Sequence, residues 1–371
     1  MIKLSTPNIG EDAIDAMNQV IRSGQLVHGE ECLAFEKELA TYLNVNHALV
    51  CSNGTAALHL ALLTLEIGPG DAVIVPDFTY PATANVVAVC GARVVVVDVD
   101  RENYCIDIKK LRDTVRNWQG PEKLKAIMPV HEFGFPADMS AIVELANEHS
   151  LAVIEDAACA IGASRDGRKM GTIGTIGCFS FHPRKTLTTG EGGLVVTNNA
   201  ELADKLRRFR NHGMERTDKG MKFFYPGLNY RLTNFQATLG RHQLQQLENW
   251  LKRRVTLARD YIELLQPLVV EGKIRLPETN SGHSWQTFMI VLDRRYNRDE
   301  IITLLRAQGV ESSLGAQSLT TLNIYPTVDN SQVTTLVGHE LFTQGLALPF
   351  CEIYDRNTAI KVVQALSDSL N

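Results

Sequence analysis

The sequence predicts an α/β protein: a mainly parallel sheet covered by helices on both faces, a three-layer sandwich, followed by a smaller C-terminal α+β domain. Three observations predict it. Apolar runs of four to seven residues recur through the first 160 positions, separated by amphipathic stretches. A long stretch at helical spacing then covers residues 234–266, interrupted only by Gly240. Beyond it come a strand-like alternation and another helical pattern. Short apolar runs alternating with helical patterns are the signature of strand–helix–strand units, whose parallel strands are buried on both faces.

Taken in order, the strands are HALV (47–50), AVIV (72–75), ARVVVVD (92–98), KAIMPV (125–130) and LAVIED (151–156), and FSF (179–181) leads into a loop rich in Thr and Gly. The segment FQATLGRHQLQQLENWLKRRVTLARDYIELLQ reads as a connecting helix. WQTFMIVLD (285–293) alternates like a strand, and RDEIITLLRAQG (298–309) is a helix ending at Gly309. The expected organisation is a large domain over 1–245 and a small one over 246–371, with no internal repeat.

The chain has 371 residues, 44% of them apolar and 21% charged, with a formal net charge of −5. That balance suits a globular protein with a large core, and it argues against nucleic acid or an anionic membrane as partner. Seven scattered cysteines form no CxxC pair, which points to reduced thiols rather than zinc or a disulfide framework. The N-terminus lacks a basic segment followed by an apolar one, and no window reaches the length of a membrane span. The expected location is the cytoplasm.

Several motifs fail. GTIGTIG (171–177) has its glycines in the wrong register for a dinucleotide loop, and Arg184 stands where a phosphate-binding P-loop needs Gly before Lys185-Thr186. HEFGF (131–135) and HELFT (339–343) each lack the second His of a zinc helix. No metal site is expected.

In the stretch FSFHPRKTLTTGEGGLVV (179–196), Lys185 follows a near-continuous apolar lead-in and precedes TLTTGEGG, where an ordinary surface helix would carry Glu and Lys. An aldehyde cofactor with a phosphate needs an amine, an acid for its ring nitrogen, a donor-rich cup for the phosphate and a flat ring beneath it. Lys185 offers the amine, although an amine with a pKa of about 10.4 must be desolvated or paired with a cation to become nucleophilic. Asp156 ends an apolar run, where open parallel sheets form their ligand crevice; the weaker alternative is a cap for the segment after it. Its neighbour Glu155 should face the other way. Ser52 or Asn53 can cap a helix beginning near Gly54, whose free N–H groups favour an anion, and Ser180 can add a hydroxyl. Phe78 or Tyr80 could supply the ring.

These segments, together with SGQLVHGEE (23–31), VPDFTYPATANVV (75–87), MPVHEFGFPADM (128–139) and GLNYRLTNFQATLGRHQL (227–244), resemble in order the DegT/StrS family of pyridoxal-phosphate-dependent sugar aminotransferases, of the fold type I aspartate aminotransferase architecture. The resemblance covers nearly the whole chain. It implies that Lys185 holds pyridoxal 5′-phosphate as a Schiff base and shuttles a proton, and that Asp156 pairs with the ring nitrogen. It also implies that Gly54, Thr55 and Ser180 hold the phosphate and that Tyr80 stacks on the ring. Asn229 would reach the phosphate of a partner subunit, implying a homodimer with shared sites, and Arg231 would help recognise substrate. Related dehydratases carry His at the lysine position, so Lys185 favours transamination; His182 has at least as good a role in orienting its turn.

Two departures stand out. Cys159 occupies the place of a Gln that touches the cofactor in many members, which exchanges strong donors for a weak one. The region ESSLGAQSLTTLNIYP (311–326) replaces a stretch containing His that lines the substrate cleft. The function expected is transfer of an amino group, from glutamate, onto a nucleotide-linked keto-deoxysugar, feeding a surface polysaccharide, a glycan or a glycosylated metabolite. The alternatives are a keto-cyclitol or other small ketone as substrate, or a non-catalytic regulatory protein of the same fold.

Overall fold

The computed structural model describes residues 1–325 and 336–371. Its centre is a seven-stranded sheet made of β1 (His47–Cys51), β2 (Asp71–Pro76), β3 (Arg93–Val97), β4 (Lys123–Ile127), β5 (Ala152–Asp156), β6 (Ile176–Ser180) and β7 (Gly193–Thr197). The spatial order is β1-β7-β6-β5-β4-β2-β3. The five strands from β6 to β3 run parallel, and β7 is antiparallel to both of its neighbours. The α/β class expected from the sequence is the one observed.

Side chains alternate across the sheet as strand geometry requires. Along β2, Ile74 enters one core with Phe35, Ile127 and Phe179, while Val73 and Val75 enter the opposite core with Leu49, Leu60 and Val195. The five apolar runs of the sequence all become strands. β7 escaped that reading because it is joined to β6 by a loop, 181–192, rather than by a crossover helix. Antiparallel neighbours permit such a link, and parallel ones do not. That loop carries Lys185.

The connecting helix spans Asn234–Val270 and runs without a break through residue 245. Thr233 and Gln236 form a capping box at its start. Gly240 lies inside it because the helix presses on Phe35: an added Cβ would stand 2.4 Å from the Phe35 ring. Its second half packs Leu257, Tyr261 and Leu265 into a third core with Phe288, Ile290, Leu346, Leu348 and Leu366. Here β8 (Ile274–Arg275), β9 (Phe288–Leu292) and β10 (Gly345–Leu348) form a three-stranded antiparallel sheet. The chain start joins this region, with Ile2 N–H donating to Gly309 O at 2.7 Å and Phe350 N–H to Leu4 O at 2.9 Å. Among the described residues no helix is long and apolar enough to cross a membrane.

Candidate active site

The carboxyl end of β5 places two acids on opposite faces, and their surroundings differ. Glu155 is fully buried and accepts from the N–H groups of Gly171 (2.8 Å), Ile173 (2.6 Å) and Gly174 (2.5 Å). Its fourth partner is His131 Nε2 at 3.0 Å; since His131 Nδ1 accepts from the Ala137 N–H, the proton sits on Nε2. The glycines of GTIGTIG therefore wrap a carboxylate of the protein itself. Asp156 turns to the other face, where Thr83 Oγ1 donates to Oδ2 at 2.9 Å and the Ala158 N–H to Oδ1 at 3.1 Å. Burial raises the Asp156 carboxyl pKa, and the Thr83 and Ala158 donors oppose that rise.

Lys185 sits in a tight turn after β6. Its N–H donates to His182 O at 2.8 Å, and His182 Nδ1 accepts from the Arg184 N–H at 3.2 Å, so the histidine shapes the turn. The lysine Nζ lies 2.9 Å from Cys159 Sγ. Burial works to lower the pKa of the amine, yet Cys159, Glu132 and Asp156 together outweigh it and hold the value above the ordinary 10.5. The acidic neighbours decide the balance, and the lowering expected for a nucleophilic lysine is not found. Burial also raises the Cys159 thiol.

The helix Gly54–Thr64 points its N-terminus at this end of the sheet. Of the two candidate caps, Asn53 serves, its side chain accepting from the Ala56 N–H at 2.8 Å. Gly54 lies so close to β6 that a Cβ would stand 2.8 Å from Ser180 Cβ. Helix start and serine hydroxyl thus share one small space, and Thr55 is exposed beside it. The strip 229–231 runs alongside, with Ser52 N–H donating to Tyr230 O at 2.9 Å and Arg231 bridging to Cys51. Arg231 binds Asn211 Oδ1, and Asn229 is exposed.

Of the two aromatic candidates, Phe78 is fully buried against Tyr104 and Phe133, whereas Tyr80 is 74% exposed. Only Tyr80 is free to meet a ligand. The two residues before it, Phe78–Thr79, pair with Gln317–Ser318. Asp77 reinforces the joint by accepting from Ser318 Oγ at 2.7 Å and the Thr320 N–H at 2.9 Å. The segment 311–325 is thereby docked beside Tyr80; Pro326, the last residue of the stretch singled out in the sequence, lies outside the described residues.

A lysine amine, a buried acid, a glycine-lined helix start with an adjacent hydroxyl and an uncovered aromatic ring together suit a phosphorylated aldehyde cofactor. A family model described as the DegT/DnrJ/EryC1/StrS aminotransferase family matches residues 7–367. The chain belongs to that family. It is an enzyme, an aminotransferase, and pyridoxal 5′-phosphate is its cofactor. The chain is 41% identical over 290 residues to GDP-perosamine synthase of Caulobacter vibrioides, covering 76% of each protein. It is 40% identical over 307 residues to UDP-N-acetyl-3-dehydro-alpha-D-glucosamine 3-aminotransferase of Acidithiobacillus ferrooxidans, covering 82% of this chain and 79% of that one. The crystal structure of a DegT DnrJ EryC1 StrS aminotransferase from Brucella abortus superposes with a TM-score of 0.86 at 34% identity, covering 96% of this chain and 94% of that one.

Three residues that shape the candidate site or its surroundings were not singled out by sequence reasoning. Thr83 lies within the quoted PDFTYPATANVV, but nothing in its spacing marks a hydroxyl that reaches the end of another strand. His131 and Glu132 lie in a failed zinc motif and in the family segment MPVHEFGFPADM, neither of which gives them a role. The available signal was an acid inside the apolar run MPVHEFGFP, where a charge needs a reason.

Proposed function

We propose that this aminotransferase moves an amino group from an amino-acid donor, glutamate, onto the keto carbon of a nucleotide-linked deoxysugar. The observation that carries the reading is the convergence of Lys185 and Asp156 at one end of the sheet, in a chain 40–41% identical to two enzymes named for nucleotide sugars. When bound, the cofactor supplies an electron sink conjugated to the substrate carbon. Lys185 binds it and carries the proton to and from that carbon. Asp156, oriented by Thr83, keeps the ring nitrogen protonated. Gly54, Thr55 and Ser180 hold the phosphate, Tyr80 covers the ring and Cys159 lies against Lys185 at its edge.

The protein acts as a homodimer in the cytoplasm, Asn229 completing the phosphate site of its partner. Exposed Met221 and Phe223, on the hairpin between the bridged residues Asn211 and Asn229, support a covered surface. The test is the visible spectrum of the protein mixed with pyridoxal phosphate, before and after glutamate, with Lys185→Ala as control. A cofactor band that glutamate bleaches and that the variant lacks is expected; a wild-type protein without the band defeats the reading. Thermal protection by a nucleoside diphosphate sugar, and not by a free cyclitol, selects the substrate class.

A further inference from the structure

Glu132 is a buried carboxyl to which none of the roles above gives work, and three turns clipped together fix its place. Val130, beyond the end of β4, pairs with Asp156, the last residue of β5, and the His131 N–H donates to Asp156 O at 3.1 Å. Glu132 therefore leaves the sheet beside the strand end that bears the acid. Gln286 ties its turn to the lysine turn: the Gln286 N–H donates to Phe133 O at 2.9 Å, and its side-chain amide donates to Arg184 O at 2.8 Å. Ser284 closes the third side, its N–H donating to Gly134 O at 3.0 Å and its hydroxyl to Cys159 O at 3.4 Å. A Cβ on Gly134 would meet Ser284 Oγ at 2.2 Å. Phe133 is held at φ 53°, a conformation a bulky residue adopts only when its surroundings enforce it.

The charges around Glu132 come from every side of this frame. Lys185, Asp156 and Cys159 face it from the sheet end, and Cys105 approaches its backbone. Glu102, Glu278 and His283 line the small cavity behind it. Burial pushes the Glu132 carboxyl up to about 8, with Lys185 working in the opposite direction and Asp156 adding to the rise. It therefore changes charge near neutral pH, next to a lysine whose reactivity depends on its own charge.

We propose that Glu132 is a positioning residue that sets the charge state of Lys185: ionised, it holds the amine as an ammonium, and protonated, it releases that hold. The inference rests on Lys185 being the reactive amine. It is tested on the cofactor-free protein by the rate at which trinitrobenzenesulfonate modifies Lys185 between pH 6 and 11, read by peptide mass spectrometry. In Glu132→Gln the midpoint should fall by about one pH unit, the lower end of the effect of a neighbouring charge, and Glu132→Asp should restore it. The kcat profile of the loaded enzyme should shift in the same sense, with the donor KM changed less than about twofold.

A Glu132→Gln midpoint equal to that of the wild type overturns the proposal. Should that variant not fold, the wild-type labelling curve decides: an inflection near pH 8, where Glu132 titrates, supports the assignment, and a single transition overturns it. A wild-type protein with no visible band in pyridoxal phosphate would defeat the role given to Lys185, whereas a normal band with an unmoved labelling midpoint defeats only the role of Glu132.

Discussion

Thr83 Oγ1 donates to Asp156 Oδ2 at 2.9 Å across two segments 73 residues apart. Because the bond favours the ionised carboxyl against the pull of burial, its removal moves the Asp156 pKa further up. Thr83→Val should shift the acid limb of kcat/KM to higher pH. A hydrogen bond to a charged group contributes about 1.5–3 kcal/mol, so activity should fall roughly tenfold or more at neutral pH. Thr83→Ser should keep most of it. Steady-state rates from pH 5 to 9 check this, and a profile unchanged in the Val variant rejects it.

The close approach of Gly54 to Ser180 makes a second prediction. Gly54→Ala should drive the helix start away from β6, since its Cβ would stand 2.8 Å from Ser180 Cβ and 3.4 Å from Ser180 Cα. The dissociation constant for pyridoxal phosphate should rise by about tenfold, a loss near 1.4 kcal/mol. Adding Ser180→Gly relieves the contact but removes the hydroxyl. The pair should therefore show clear non-additivity in fluorescence titrations.

Arg254 is a stability test away from the chemistry. It is 1% exposed, donates to Glu352 at 2.7 Å and reaches the carbonyls of Trp285 and Gln286 at 3.2 Å. Arg254→Leu leaves a buried Glu352 unpaired and should cost about 3–5 kcal/mol in urea unfolding. The double variant Arg254→Leu with Glu352→Leu should be more stable than the single one. If the single and double variants unfold together, the unpaired Glu352 carboxylate is not what destabilises the single variant.

His283 predicts how stability responds to acid. Its ring is buried, stacks on Trp285 at 3.9 Å and accepts the Trp285 N–H at Nδ1. Burial lowers its pKa from 6.5 to about 3. The unfolded chain then binds the proton that the folded chain refuses, so stability is complete above pH 6.5 and is lost as pH falls through 6.5 toward 3. In His283→Phe the midpoint of thermal unfolding should fall less steeply over that window. Parallel curves for the two proteins would show that another group controls the acid limb.

Much of this architecture is legible from residue order because it is local. Four of the five apolar runs are parallel strands of the sheet and the fifth, 47–50, is its edge strand paired antiparallel to β7, and alternation alone assigns Asp156 and Glu155 to opposite faces. β7 was hidden because its neighbours are set by an antiparallel return rather than a crossover. The long helix continues through Pro267 to Val270 because its packed face outweighs one missing backbone donor. Of the site, Lys185, Asp156, Gly54 and Ser180 announce themselves through strand ends and a capped helix. Thr83 and Glu132 do not, since each matters through a contact made across the fold, and no short-range pattern records which distant strand a hydroxyl or carboxyl will meet.

The joint at Asp77 bears on how the site could be rebuilt. Ser318, Thr320 and the Leu319 N–H all fasten onto this one residue, while the two-residue strand after it, Phe78–Thr79, leads to Tyr80. The segment 311–325 is therefore anchored beside Tyr80, at the candidate site, rather than hung from the C-terminal lobe alone. A loop transplanted from a relative would bring its own sequence but not its own footing. Exchange of substrate preference by grafting has to move Asp77, Ser318 and Thr320 as one unit, and a graft that leaves Asp77 facing two apolar residues would strand a buried carboxylate.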